Sequence, residues 1–215
     1  MRTSTAVALL FGSIFLALVA AKCAKAEPVY VDKCSGVYIG EGYVLTAAHC
    51  VRGETEVILR KEPAKDVDDK SGWVAKVVVT DHLHDLAIVK FDKAMVENDK
   101  KEWKPQDIKD PLPFTATKVS CDYPAMRKHY VIKGWPLGLY TEVIGYVAGK
   151  KDKYGPWDAA YIVVSPIWFG NSGSGAYDQV TDRVEMIMVG VIPGSTLSFG
   201  VPTAQICSFL PREIK

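Results

Sequence analysis

Downstream of residue 26 the apolar residues come in short runs rich in β-branched and aromatic types. Gly, Pro and charged clusters separate them. Val37–Ile39, Tyr43–Thr46, Glu56–Arg60, Trp73–Thr80 and Leu86–Phe91 read as strands of a first lobe, with Gly40-Glu41-Gly42 as a turn between the first two. Tyr130–Lys133, Glu142–Ala148, Ala160–Val164, Arg183–Val191 and Leu197–Val201 read as strands of a second, and Thr203–Leu210 as a short terminal helix. Between the lobes, roughly Asp92 to Pro113, lies a lysine- and acid-rich stretch that reads as a solvated connector. Short strands at this density predict an all-β barrel or sandwich rather than an α/β layer fold.

The first residues read as a targeting segment. Arg2 supplies a positive start, Ala6–Ala21 is unbroken apolar or small, and Ala24-Lys25-Ala26 has the small-x-small form of a cleavage site. The expected organisation is a signal peptide over residues 1–26 and one domain over 27–215, with lobe 1 at about 30–92, the connector at about 93–113 and lobe 2 at about 114–210. An uncleaved N-terminal anchor is the alternative. Cys23 invites a lipoprotein reading, but Lys22 stands where such sites want a small residue. Losing Arg2, Lys22 and Lys25 takes three charges from a net of +1 and leaves −2. A near-neutral chain has no electrostatic footprint for nucleic acid or an anionic membrane. The leader implies a secreted or periplasmic protein, and four cysteines remain after it, an even number in an exported chain.

Three motifs carry chemistry: Thr46-Ala47-Ala48-His49-Cys50, Asp85-Leu86-Ala87-Ile88-Val89 and Gly170-Asn171-Ser172-Gly173-Ser174-Gly175. Each has a bland reading when taken alone. His49 is then a loop histidine and the glycine-rich segment a surface loop. Asp81, His82, His84 and Asp85 also suggest a metal site, since imidazole and carboxylate suit zinc, but spacing gives no convincing third ligand and none is assigned.

Together and in this order, the motifs resemble those of chymotrypsin-like (trypsin-like) serine proteases. The resemblance spans roughly Lys33 to Leu210. It implies two six-stranded antiparallel β-barrels with the active site in the cleft between them. It also implies a catalytic triad of His49, Asp85 and Ser172, with the backbone N–H groups of Gly170 and Ser172 as the oxyanion hole. Asp81 competes with Asp85 and Ser174 with Ser172, but the family places its aspartate before an apolar strand and its serine in a Gly-x-Ser-Gly register. Family spacing further implies a Cys34–Cys50 disulfide beside the histidine loop, a closure worth about 3 kcal/mol in the loop-entropy model. That leaves Cys121 and Cys207 as a residual pair, but four cysteines allow three pairings and the sequence does not choose among them. No cofactor is implied.

Asn171 stands where digestive enzymes carry the aspartate that pairs with a new N-terminus, and no Ile-Val-Gly-Gly-like start lies between Ala26 and Cys34. Gly134-Trp135-Pro136-Leu137-Gly138 and Phe199-Gly200-Val201-Pro202 resemble segments of the bacterial Deg-type and glutamyl-endopeptidase branch, here without a PDZ domain. Three features depart from that branch: Ser174 in place of a frequent glycine, the Cys34–Cys50 spacing and the lack of a following peptide-binding module. Pro166, six positions before Ser172, offers no counter-charge to a basic substrate side chain. Pro166, Val191, Ile192 and Pro193 are therefore expected to shape a pocket for small or apolar P1 residues. The expected function is that of an exported, monomeric serine endopeptidase acting on proteins or peptides. A catalytically silent binding protein of the same fold and an esterase using the same triad are the alternatives.

Overall fold

A computed structural model describes residues 26–66, 69–98, 102–108, 112–154, 157–212 and 214. The first barrel consists of β1 (Pro28–Val31), β2 (Cys34–Gly40), β3 (Tyr43–Ala47), β4 (Glu56–Arg60), β5 (Gly72–Asp81) and β6 (Leu86–Glu97). They run in the order β3-β2-β1-β4-β5-β6, and pairing of β6 with β3 closes the ring. The strand β7 (Trp103–Asp107) pairs with β6 outside that ring. The second closed barrel, β10-β13-β12-β11-β8-β9, is built from β8 (His129–Gly134), β9 (Thr141–Tyr154), β10 (Trp157–Val164), β11 (Gly175–Asp178), β12 (Val184–Val191) and β13 (Leu197–Pro202).

Successive side chains of a strand face opposite ways, and here both faces are buried. Val44, Ala87 and Val89 fill the first barrel, while their neighbours Leu45, Leu86 and Ile88 point to the other barrel. In the second barrel Met186 and Met188 fill the interior, and Ile187 and Val189 meet the first barrel. Three cores result, one inside each barrel and one between them. This explains why these strands read as continuous rather than alternating apolar runs.

The expected connector differs from what forms. β6 runs on to Glu97 and β7 pairs back along it, so the stretch carries a projecting two-stranded arm. Four of the five β7 residues are exposed, and Pro105 is tolerated because it lies on an edge strand. Solvated on most faces, the arm has no apolar alternation to announce it. The terminal helix is a single 3₁₀ turn, Thr203–Gln205. Of the expected leader, residues 1–25 lie outside the described residues. Ala26 is buried between the barrels, and its carbonyl accepts a hydrogen bond from the buried Lys133 ammonium at 3.2 Å. Cutting after Ala26 would take that acceptor away.

Among the described residues two disulfides form, Cys34–Cys50 and Cys121–Cys207, the second spanning 86 residues of lobe 2. Near the start of β8, Lys128 bridges Asp178 and Glu185 at 2.5 and 2.6 Å, and the Tyr130 hydroxyl donates to Glu185 at 2.7 Å. Burial alone would raise the Asp178 carboxyl. Its hydrogen bonds from Lys128, Thr181 and Val180 outweigh that and hold it at about 2, below its ordinary 3.8. A carboxylate depressed in the folded state stabilises the fold above its unfolded pKa, and that contribution disappears as pH falls through the folded value. Urea midpoints of wild type and Asp178→Asn should therefore differ clearly near neutral pH and converge between about pH 4 and pH 2.

Candidate active site

His49 sits in a 3₁₀ turn, Ala48–Val51, that follows β3 directly. Asp85 ends the turn between β5 and β6 and is 1% exposed, with a left-handed φ of 54°. Asp and Asn tolerate that region better than most residues. Three bonds lock the two segments together. The Asp85 carboxylate accepts the His49 backbone N–H at 2.8 Å and contacts ring Nδ1 at 2.6 Å, and its carbonyl accepts the Ala48 N–H at 3.0 Å. An ionised carboxylate only accepts, so Nδ1 carries the proton and Nε2 is left as the basic nitrogen.

Asp81 is engaged elsewhere. Its carboxylate contacts His84 Nδ1 at 2.6 Å and accepts the N–H groups of Leu83 and His84, closing its own turn. His82 is exposed. Among the described residues, the metal-compatible group of three is Cys34, His49 and Cys50, and its two sulfurs are bonded to each other.

The glycine-rich loop Gly170–Gly175 crosses from the second barrel toward His49. Gly170 has φ 94°, and the preceding Phe169 carbonyl accepts the Leu137 N–H at 3.0 Å. In a trans peptide the N–H points opposite the C=O, so the Gly170 N–H faces away from Leu137. The Asn171 carbonyl accepts the Ser174 N–H at 2.8 Å, which turns the Ser172 N–H outward in the same way. Neither the Gly170 nor the Ser172 N–H has an acceptor among the described residues. Gly173 has φ 84°, and a Cβ there would fall 1.9 Å from the Ser35 carbonyl oxygen.

Ser172 and His49 line one cavity of about 270 Å³ at the junction of the barrels. Ser174, the competing serine, is fully buried and its hydroxyl donates to Asn171 Oδ1 at 3.0 Å. The cavity walls differ from those expected. Val191 lines it, but Pro166 is exposed and turned outward, and Ile192 and Pro193 lie beyond it in the exposed turn after β12. In their place Ile167, Trp168 and Phe169 form one wall and Met188, Val189 and Gly190 another. The offset has a simple cause. Ile167 is 5% exposed and follows exposed Pro166, so counting six back from Ser172 overshoots the inward-facing position by one residue. Met188 is readable only once the facing of β12 is known.

Two closed β-barrels with a histidine–aspartate pair and a Gly-Asn-Ser-Gly loop meeting at their junction define a serine-type peptidase of chymotrypsin architecture. The chain belongs to the trypsin-like peptidase domain family, which matches residues 34–185. No curated protein sequence matches it. In fold it is similar to the Rv3671c protease of M. tuberculosis. The inactive form of that protease is 20% identical, with 89% of each chain covered and a TM-score of 0.61. The active form is 18% identical over 89% of this chain and 81% of the other, with a TM-score of 0.64. It is also similar to the HtrA-type protease AlgW solved with a tripeptide, 20% identical over 87% of this chain and 60% of that one, at a TM-score of 0.61.

Proposed function

We propose that the protein is an exported serine endopeptidase with Ser172 as nucleophile, His49 as general base and acid, and Asp85 as the group that orients His49. The observation that carries this is the convergence of Ser172 and the Asp85-bound His49 on one cavity. Ser172 Oγ attacks the scissile carbonyl carbon while its proton passes to His49 Nε2. The oxygen that becomes negative is held by the Gly170 and Ser172 N–H groups, which have no acceptor among the described residues. Collapse breaks the C–N bond, the His49 proton leaves with the amine, and an ester to Ser172 remains. Water then repeats the sequence, giving its proton to His49 and releasing the acid and free Ser172.

Among the described residues, the cavity is lined by no ionisable side chain apart from His49, which favours small or apolar P1 residues. Two disulfides fit an oxidising compartment, as the leader suggests. Among the described residues no helix is long and apolar enough to cross a membrane. The protein acts as a monomer on protein or peptide substrates.

A fluorophosphonate probe tests the reading. Wild type and Ser174→Ala should label, and Ser172→Ala should not. A folded wild type that stays unlabelled would sink the assignment and favour a binding role. Digestion of denatured casein against hydrolysis of an activated ester separates peptidase from esterase.

A further inference from the structure

Ser35, in β2 of the first barrel, is fully buried and faces the nucleophile loop of the second. Its Oγ donates to the Gly170 carbonyl at 2.9 Å and accepts the Trp135 N–H at 2.8 Å. Its backbone N–H donates to the Ser172 carbonyl at 2.7 Å, and its carbonyl accepts the Thr46 hydroxyl at 2.7 Å. We infer that the Ser35 hydroxyl is a positioning device that holds the oxyanion loop in its donating conformation. This rests on the oxyanion role proposed above for the Gly170 and Ser172 N–H groups.

The peptide between Gly170 and Asn171 links the two N–H groups that would receive the oxyanion. Gly170 lacks a Cβ, so nothing in the residue itself holds its φ at 94°. Rotating about it would carry the 169–170 peptide over and withdraw one donor. Three carbonyls oppose this. Phe169 O is held by Leu137 within the second barrel, and Gly170 O and Ser172 O are held by Ser35 from the first.

The direction of the Ser35 hydroxyl proton is itself fixed. Because Oγ accepts from Trp135, its own proton is left for Gly170. The side chain has little room to turn. A Cβ on Gly134 would come within 2.9 Å of Ser35 Oγ and within 1.9 Å of Ser174 Oγ. Alanine at position 35 would keep the backbone bond to Ser172 but leave the part-buried Trp135 N–H and Gly170 carbonyl without this partner. Glycine would do the same. The hydroxyl thus makes the oxyanion geometry depend on the seating of one barrel against the other.

Ser35→Ala and Ser35→Gly test the inference, with rates normalised to sites titrated by the fluorophosphonate probe. Deleting an oxyanion donor outright costs about 10²–10³ in kcat, so loosening the loop should cost roughly 10- to 100-fold. KM for a peptide substrate and the shape of the pH–rate profile should hold, since neither the cavity walls nor the His49–Asp85 pair is altered. Affinity for a peptide aldehyde, whose adduct places an oxyanion in the hole, should fall by the same factor as kcat. Affinity for a product-like peptide should not. Wild-type kcat per titrated site, or equal loss of aldehyde and product affinity, would overturn the inference. So would failure of both variants to fold where Thr46→Ala folds, which would make Ser35 a structural residue. An unlabelled wild type would instead overturn the proposed function.

Discussion

Ser172→Ala should lower kcat by roughly 10⁶ in a peptide-hydrolysis assay while the protein stays folded. The change removes one hydroxyl oxygen from a half-buried side chain and touches no hydrogen bond that holds the loop. The loop is fixed by main-chain contacts, Ser35 N–H to Ser172 O and Gly173 N–H to Met188 O, both 2.7 Å, and these survive the substitution. The residue of activity should come from water attacking a carbonyl still polarised by the Gly170 and Ser172 N–H groups. Steady-state rates alongside circular dichroism check both halves. A loss below about tenfold would point to a different nucleophile.

Asp85→Asn should cost about 10⁴ in kcat with the geometry nearly unchanged. Asparagine tolerates the left-handed backbone of position 85 and keeps one oxygen to accept the His49 backbone N–H. Its NH₂ group then faces Nδ1 and can only donate, which puts the ring proton on Nε2, where it blocks proton removal from Ser172. The contrast with Asp81→Asn is part of the expectation. Asp81 contacts His84 rather than His49, so that substitution should leave kcat close to wild type. If Asp81→Asn were the more damaging, the orienting role would belong to the other aspartate.

Much of this architecture was legible in the chain because its strands are apolar on both faces. Leu86–Val89 and Tyr43–Thr46 read as strands because their neighbouring residues serve two cores at once. The brief β1 and β11 and the solvated β7 gave no such signal. In the candidate site, His49, Asp85 and Ser172 were marked as candidates by local context, since a loop proposed to carry a nucleophile needs glycines beside it whatever surrounds it. The cavity walls were not marked. Met188 and Phe169 approach His49 only through the seating of separate strands and loops, and Pro166 is displaced from the cavity by the outward turn before Ile167. Ser35 was hidden for the same reason, as an unremarkable strand serine whose partners lie 100 or more residues away.

A peptidase in solution meets its own copies, and the long Cys121–Cys207 link bears on that encounter. The turn between β11 and β12 offers the exposed apolar residue Val180 between the two cysteines. A cut there, or at any one bond between residues 121 and 207, yields two pieces that each retain one half of the bridge. The damaged molecule keeps its mass, and its fragments part only when the sulfurs are reduced. Self-digestion of this enzyme would then be visible on a reducing gel and invisible on a non-reducing one.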